Sequence, residues 1–447
     1  MTNLGPGVGN YGGGEVTGNM ALGLHPKARA AIIVALEKGL PHITVNNGMF
    51  VERFTAFLAS YEADQVLPTT GKLHERIIDY IDDSPLVEFV TDFLGRELSD
   101  RGIYEAEPAK RKLVEIEEYS DVKLTANRII DAFESLPWRY TLTAPLPFTL
   151  LPEAVFENAS LALGQTGKIV KPDLLMNDEF PITHVNPNVQ KRGSTGGILG
   201  MLNPPTEWKS DSCYIQEESE GFVGIYGDTN SMERVDRKLE SFLGLGLSTK
   251  LFSFVYKYEN PEIKFKWTLH QRNNDQWELA SKIPANKDTL EVMRHMKSFA
   301  FEENYPEKDR LPWLRKMLVQ ADKIFKAENC NTLLLSSKWF FDSFKGTDTT
   351  LKYIRMMTCL EILLGEKADI SKISLGELLS NRLAYLIGKS HNDRAEILSE
   401  FKKIYGTRSS ILHHGKHRLT GDERGQILKL RKFCERAIEA EVRLILA

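Results

Sequence analysis

Cysteine is scarce in this chain, with four in 447 residues: Cys213, Cys330, Cys359 and Cys434. They lie far apart, no CxxC occurs, and no histidine stands at finger spacing from any of them. Neither a zinc site nor a disulfide framework is supported, and the four read as reduced side chains inside the fold. Long apolar runs are also missing, since none reaches the ~18 uncharged residues that a membrane helix needs. The stretch Met1 to Met20 has neither the basic start nor the apolar core of a secretion signal, and Thr2 stands where myristoylation requires glycine. The expectation is a cytoplasmic protein with no membrane partner. Neither sign of charge dominates: 57 basic against 61 acidic residues leave a net charge of −4. That balance argues against a surface that is wholly a nucleic-acid footprint and leaves room for a local basic patch. A phosphate loop is absent. Among the Gly-Lys pairs only Gly388-Lys389 is followed by Ser or Thr, and there Leu383 replaces the first glycine of the motif.

What is present is an ordinary globular composition, 42% hydrophobic and 26% charged, which excludes a disordered or collagen-like chain. At roughly 150 residues per domain the length suggests two or three units. The fold class expected is α+β and multidomain, in four stretches. Residues 1–24 form a glycine-rich tail, in which the entropy of ordering glycine favours flexibility. Residues 25–122 read as helical, with Ala28, Ile32, Ala35 and Leu36 on one face and Phe50, Phe54, Phe57 and Leu58 on another. The acidic residues of this region, among them Asp82, Asp83, Glu88, Asp92 and Glu97, read as solvated helix faces.

Residues 123–304 form a mixed, β-containing unit of regulatory or sensor type. Lys264–Leu269 alternates as a half-buried strand does, the aromatic run Leu251–Tyr258 precedes it, and Asn260-Pro261 supplies a turn between them. Gly221–Tyr226 is a further strand candidate, and Gly193–Gly197 and Pro204-Pro205 read as loops. Residues 305–447 form an all-α bundle. Leu314, Leu318, Ala321, Ile324 and Phe325 mark its first helix. Others run over Thr332–Phe344, Thr350–Leu364, from Ser374 to about Gly388, and over Asn392–Leu412, and a last one starts at Thr420. Capping-box starts at Ser374–Glu377 and Thr420–Glu423 agree with glycine stops at Gly346, Gly365 and Gly388.

One stretch of this bundle carries chemistry: Tyr405-x-x-Arg408-Ser409-Ser410-x-x-His413-His414-Gly415-Lys416-His417-Arg418. Gly415 is a natural helix stop, so His413 and His414 belong to the last turn, where the helix dipole favours an imidazolium. The Arg408 guanidinium suits a phosphate. Five residues at about 100° each place Arg408 and His413 about 140° apart on a straight helix. One protomer alone aligns them poorly, and two copies meeting at this helix end would bring two of each into one cleft. Between Phe401 and Ala447 eleven basic and five acidic residues give a local balance of +6, as phosphate binding would ask.

The spacing Arg408-x4-His413 at the end of a penultimate bundle helix resembles the HEPN domain of the ApeA-like branch. Cys359-Leu-Glu361-Ile-Leu-Leu-Gly365 is similar to that family's leucine-rich helix with a central glutamate. Asn381-Arg382-Leu383-Ala384 is similar to its arginine-and-alanine helix. The resemblance covers about 330–447, near a quarter of the chain. It implies a metal-independent endoribonuclease, with no cofactor, that works as a homodimer. In such an enzyme the RNA 2′-OH attacks the adjacent phosphodiester and leaves a 2′,3′-cyclic phosphate. His413 would shuttle the proton and Arg408 would hold the scissile phosphate. Ser409, Glu361 and His414 would be supporting groups, and Lys416, His417 and Arg418 RNA contacts. Ser409 departs from the Asn, Asp or His that the family often places after its arginine. Glu361 reads as an internal partner for Arg408 or Arg382 rather than as a base. The resemblance also implies a bacterial stress or anti-phage toxin, with transfer RNA as a candidate target and a phage or regulatory trigger. Two other readings stay open: a non-catalytic HEPN module that binds nucleotide, RNA or protein, and a regulator whose function lies in the middle unit.

Overall fold

A computed structural model describes residues 21–48, 50–101, 110–146, 155, 160–171, 178–182, 208, 213–224, 229–257, 259, 266–299, 306–365 and 374–447. The loops expected at Gly193–Gly197 and Pro204-Pro205, the turn at Asn260-Pro261 and the first twenty residues lie outside them.

The N-terminal unit starts earlier than the expected tail boundary. Leu22 is fully buried, and its N–H donates to the Leu136 carbonyl at 3.1 Å. Helix α1, Pro26–Gly39, opens on Pro26 after the His25 cap and buries Ile32 and Leu36 as the periodicity predicts. Helices α2 (Arg53–Asp64), α3 (Lys72–Tyr80), α4 (Pro85–Arg101) and α5 (Val122–Glu134) follow. The region read as helical also holds a three-stranded antiparallel sheet, in the order β2-β1-β3, from β1 (Thr44–Asn46), β2 (Phe50–Val51) and β3 (Lys110–Lys112). Strands of two or three residues are too short for period-two alternation to register. The signal that was there is Asn47-Gly48, both with positive φ, 50° and 70°, since Asn-Gly is the strongest short hairpin dipeptide. The acidic faces differ as well: Asp92 is buried, and Glu97 accepts from Tyr119 at 3.2 Å and Arg128 at 3.1 Å.

A six-stranded antiparallel sheet follows, in the order β10-β9-β4-β7-β6-β5. Its members are β4 (Trp138–Leu146), β5 (Ser160–Leu163), β6 (Gly167–Val170), β7 (Cys213–Gly221), β9 (Lys266–Asn273) and β10 (Gln276–Pro284). Alternation sets its faces. Tyr140, Leu142, Ala144, Cys213, Ile215, Trp267 and Leu269 join one core, while Tyr214 packs with Phe180, Trp208 and Trp277 in another cluster. Two expectations change here. The run before β9 forms only β8, Phe252–Phe254, and pairs with β11, Met296–Ser298, because β9 already has β4 on one edge and β10 on the other. The β9–β10 turn is Asn274-Asp275, both at positive φ, 47° and 65°. The strand expected from Gly221 onward instead ends there. Gly221 adopts φ 130°, and Phe222 leaves the sheet to pack in the N-terminal core, its ring 4.9 Å from Phe89.

Helix α6, Asn230–Ser248, crosses the sheet face, and α7, Lys287–Arg294, precedes β11. The bundle then runs α8 (Glu307–Lys326), α9 (Asn331–Asp342), α10 (Thr349–Leu364), α11 (Leu375–Ile387), α12 (His391–His413) and α13 (Gly421–Leu446). Helix starts match the expected caps within a residue or two. Ser374 and Thr420 accept from first-turn N–H groups as expected, and Asp348 and Ser390 do so as well; the reciprocal box forms at Thr420–Glu423, while at Ser374–Glu377 only the serine half forms. All four cysteines are buried and unbridged. A single apolar cluster runs from Tyr140 to Val442, so sheet, α6 and bundle share one core, while the N-terminal cluster extends through α5 to Leu136. Gly244 of α6 is the closest joint: a Cβ there would lie 1.9 Å from the Ser337 carbonyl oxygen of α9. No helix among the described residues is long and apolar enough to cross a membrane.

About two turns before that joint, Asp236 of α6 accepts from the Trp267 indole N–H at 2.8 Å, and burial pushes its carboxyl up to about 6. The folded state therefore favours the protonated acid. The fold bears no penalty below the ordinary carboxylate range and loses stability as pH rises through about 6. Asp236→Asn keeps the acceptor and removes the charge. It is expected to raise the unfolding free energy at pH 8 by on the order of 2–3 kcal/mol, seen as a higher urea midpoint, and to change it little at pH 4. Equal midpoint shifts at both pH values would contradict this.

Candidate functional site

The residues singled out in the bundle sit where α12 ends and α13 begins. The end of α12 follows from its sequence. The His414 N–H donates to the Ser410 carbonyl at 3.1 Å, Gly415 turns at φ 62°, and the Lys416 N–H returns to the same carbonyl at 3.3 Å. Both bonds converge on the one Ser410 carbonyl, and His413 and His414 are left exposed at the negative end of a 23-residue helix.

Arg408 lies further back on α12 and is turned inward. Its Nε sits 2.9 Å from Glu361 Oε1, and its Nη2 donates to Glu361 Oε2 at 3.1 Å. Both side chains are about four-fifths buried, at 18% and 20% exposure. Glu361 is thus the internal partner of Arg408. Arg382 goes elsewhere, donating to the Leu364 carbonyl at 2.5 Å. The Arg408 guanidinium carbon also lies 5.7 Å from the centre of the Tyr405 ring. This fork is engaged side-on, through Nε and Nη2. Its end-on edge, Nη1 with the second hydrogen of Nη2, makes no bond among the described residues. That edge is the one a phosphate takes in a bidentate pair.

A small polar knot holds this part of α12 in register, and nothing in the sequence singled it out. Gln426 Oε1, on α13, accepts from the Tyr353 hydroxyl of α10 at 2.8 Å and from the Thr407 hydroxyl at 3.0 Å. Tyr353 also reaches the Ile404 carbonyl at 3.0 Å, and burial pushes its phenol well above the ordinary range, so it stays a donor. Thr407 immediately precedes Arg408, so three helices fix the backbone that carries the guanidinium. The only sequence signal was a set of polar residues at core-facing helical positions.

The remaining residues are scattered in role. Ser409 is half-buried, and the Ser410 hydroxyl donates back to the Gly406 carbonyl at 3.1 Å. Lys416 is bonded to Glu423, whose carboxyl is held below its usual range by that ammonium and by the Thr420 N–H. His417 and Arg418 are exposed. The structure does not bring Arg408 and His413 together within one copy; they diverge around α12 as the five-residue offset requires.

The basic segment is also less free than its composition suggests. Glu400 takes Lys403 at 3.1 Å and Lys429 at 2.6 Å, and Asp393 takes Arg436 at 3.3 Å. These acids precede the segment over which the charge was counted. Arg431 lies over Phe344, 4.8 Å from its ring centre. Lys402, Arg418, Arg424 and Lys432 remain exposed, with no carboxylate partner among the described residues. No group of three or more His, Cys, Asp or Glu suited to a metal ion occurs among the described residues. Comparison with known proteins finds no matching family model, no matching curated protein and no matching solved structure.

Proposed function

We propose that this chain is a metal-independent endoribonuclease acting through Arg408 and His413, with the two copies of a homodimer supplying one composite cleft. The observation that carries this reading is the half-committed guanidinium. Glu361 fixes Arg408 side-on and leaves its end-on edge open, on the helix that ends in exposed His413 and His414. A purely structural ion pair gains nothing from histidines at the same helix end. A phosphodiester, by contrast, needs a preorganised fork and a nearby imidazole.

In this reaction His413 removes the proton from the ribose 2′-OH, and the 2′-oxygen attacks the adjacent phosphorus. The bond from phosphorus to the 5′-oxygen breaks, and that oxygen takes a proton from the imidazolium of the second copy. The products are a 2′,3′-cyclic phosphate and a 5′-OH, with no water consumed. Arg408 neutralises the charge that builds on the non-bridging oxygens. His414, Lys416, His417 and Arg418 border the cleft, and the exposed Arg418 and Arg424 hold the strand on either side. A role in stress or phage defence, with transfer RNA as substrate, and residence in the cytoplasm belong to the same proposal.

Incubation of the full chain with total RNA in excess EDTA tests it. The expected result is fragments ending in 2′,3′-cyclic phosphate and beginning with 5′-OH. Fragments with 5′-phosphate ends, a strict need for a divalent cation, or intact RNA would overturn the reading, the last in favour of a binding module.

A further inference from the structure

Helix α2 is built inside out. Its small residues, Ala56, Ala59, Ser60 and Ala63, are buried on the N-terminal core. Its large ones face water: Phe54 is 69% exposed, Leu58 56%, Tyr61 48% and Phe57 41%, and Phe50, just before the helix, is 53% exposed. The aromatic stripe that sequence periodicity marked as one apolar face is therefore a surface. Its positions, 54, 57, 58 and 61, follow the i, i+3, i+4, i+7 spacing of a helix face made for packing. Phe57 and Tyr61 already lie together, with ring centres 5.6 Å apart. A contiguous apolar patch of this kind marks an interaction surface.

We propose that a second copy of this chain covers it, through an antiparallel pairing of α2 with α2 about a twofold axis between Phe57 and Leu58. The order of residues carries this assignment. About that axis Phe57 meets Leu58, Phe54 meets Tyr61, and Arg53 meets Glu62. Apolar groups fall on apolar groups and the one cation falls on an anion, twice by symmetry, as an isologous interface requires. Glu62 is exposed, and Arg53 is half-exposed at the surface beside Glu88, at 3.5 Å. The area is sufficient. Five half-exposed large side chains offer on the order of 500 Å² per copy, about 1,000 Å² for the pair, at the lower end of specific interfaces. The rim does not suit an anionic lipid surface, because Glu52, Glu62 and Glu88 outnumber Arg53 and Lys110. The pairing does not depend on the chemistry assigned to α12.

Sedimentation of the full chain, read alongside far-UV circular dichroism, tests it. The wild type is expected to associate. Leu58→Glu should remove one twofold association step while the helical signal stays unchanged. Arg53→Glu and Glu62→Arg should each raise the dissociation constant about tenfold or more, through like-charge contacts made twice. The two together should restore it to within about threefold, because the pair is then merely reversed. A monomeric wild type, association unchanged by Leu58→Glu, or a double variant no better than the single ones would each overturn the proposal.

Discussion

Replacing His413 with alanine is expected to lower the rate of RNA cleavage by ~10²–10⁴-fold, the usual worth of a positioned acid–base group, and to leave the urea midpoint unchanged. The separation of the two readouts follows from the position of His413. The side chain is exposed in the last turn of α12, and the bonds that end the helix there come from the backbone of His414 and Lys416. Surface substitutions away from such features stay within about 0.5 kcal/mol. Arg408→Ala is a poorer probe, because it strands the largely buried Glu361 carboxylate and mixes a stability loss with any loss of chemistry. The informative comparison is His413→Ala against His414→Ala in single-turnover cleavage of one short RNA. A variant at His413 that cleaves within a few-fold of wild type would remove it from the site. A large loss at His414 instead would move the proton transfer one residue along the chain.

The largest stability effect is expected at Glu240. This carboxylate, 7% exposed on α6, accepts from Lys345 at 2.6 Å and from Thr289 at 2.7 Å, with Lys338 at 3.5 Å. Asp342 completes the cluster, 2.6 Å from Lys338 and 2.7 Å from Lys345. Arg355 fastens the turn by donating to the Asp342 and Lys345 carbonyls at 2.9 and 3.1 Å. Burial pulls the Lys345 ammonium toward neutrality, but Glu240 and Asp342 outweigh it and raise its affinity for the proton. One buried and one partly buried cation are thus balanced by two buried anions across the seam between α6 and the bundle. Glu240→Ala leaves two cations facing one anion and orphans the Thr289 hydroxyl. The expected loss is about 3–5 kcal/mol, the usual cost of breaking a buried pair from one side. Glu240→Gln keeps the Thr289 acceptor and should lose less. Urea midpoints for the two variants and wild type decide it, and a loss under about 1 kcal/mol for the alanine would mean that water reaches the cluster.

The parts of the fold that were legible in the sequence are those whose cause is local. Thr420 with Glu423, and Ser374, announce helix starts because a short polar side chain satisfies free N–H groups two or three residues on. Gly346, Gly365 and Gly388 announce the stops. The small N-terminal sheet escaped because its strands are held by pairing over long sequence distances, as between Val45 and Arg111. The exposure of the α2 face was not legible, because periodicity reports that a face is apolar and is silent on which neighbour covers it. At the candidate site, Glu361 and Arg408 were legible as a pair. The knot of Tyr353, Thr407 and Gln426 was not, since each of its residues is unremarkable until three helices bring them together.

The close joint at Gly244 has a consequence for how the protein is made. Its partner Ser337 lies about 90 residues downstream, and at about 5–20 residues per second a ribosome needs roughly 5–20 seconds to reach it. The N-terminal core, apart from Phe222, is complete by Leu136 and can close at once. Helix α6 emerges with Gly244 and its buried neighbours Leu243 and Leu245 before α9, which packs on Gly244, has been synthesised. During that interval α6 can lie on strands β4 to β7, but the side that carries Gly244 lacks its partner helix α9. Cotranslational chaperones should therefore engage it most strongly between the emergence of α6 and that of α9, and a chain stalled in that window should be the aggregation-prone species.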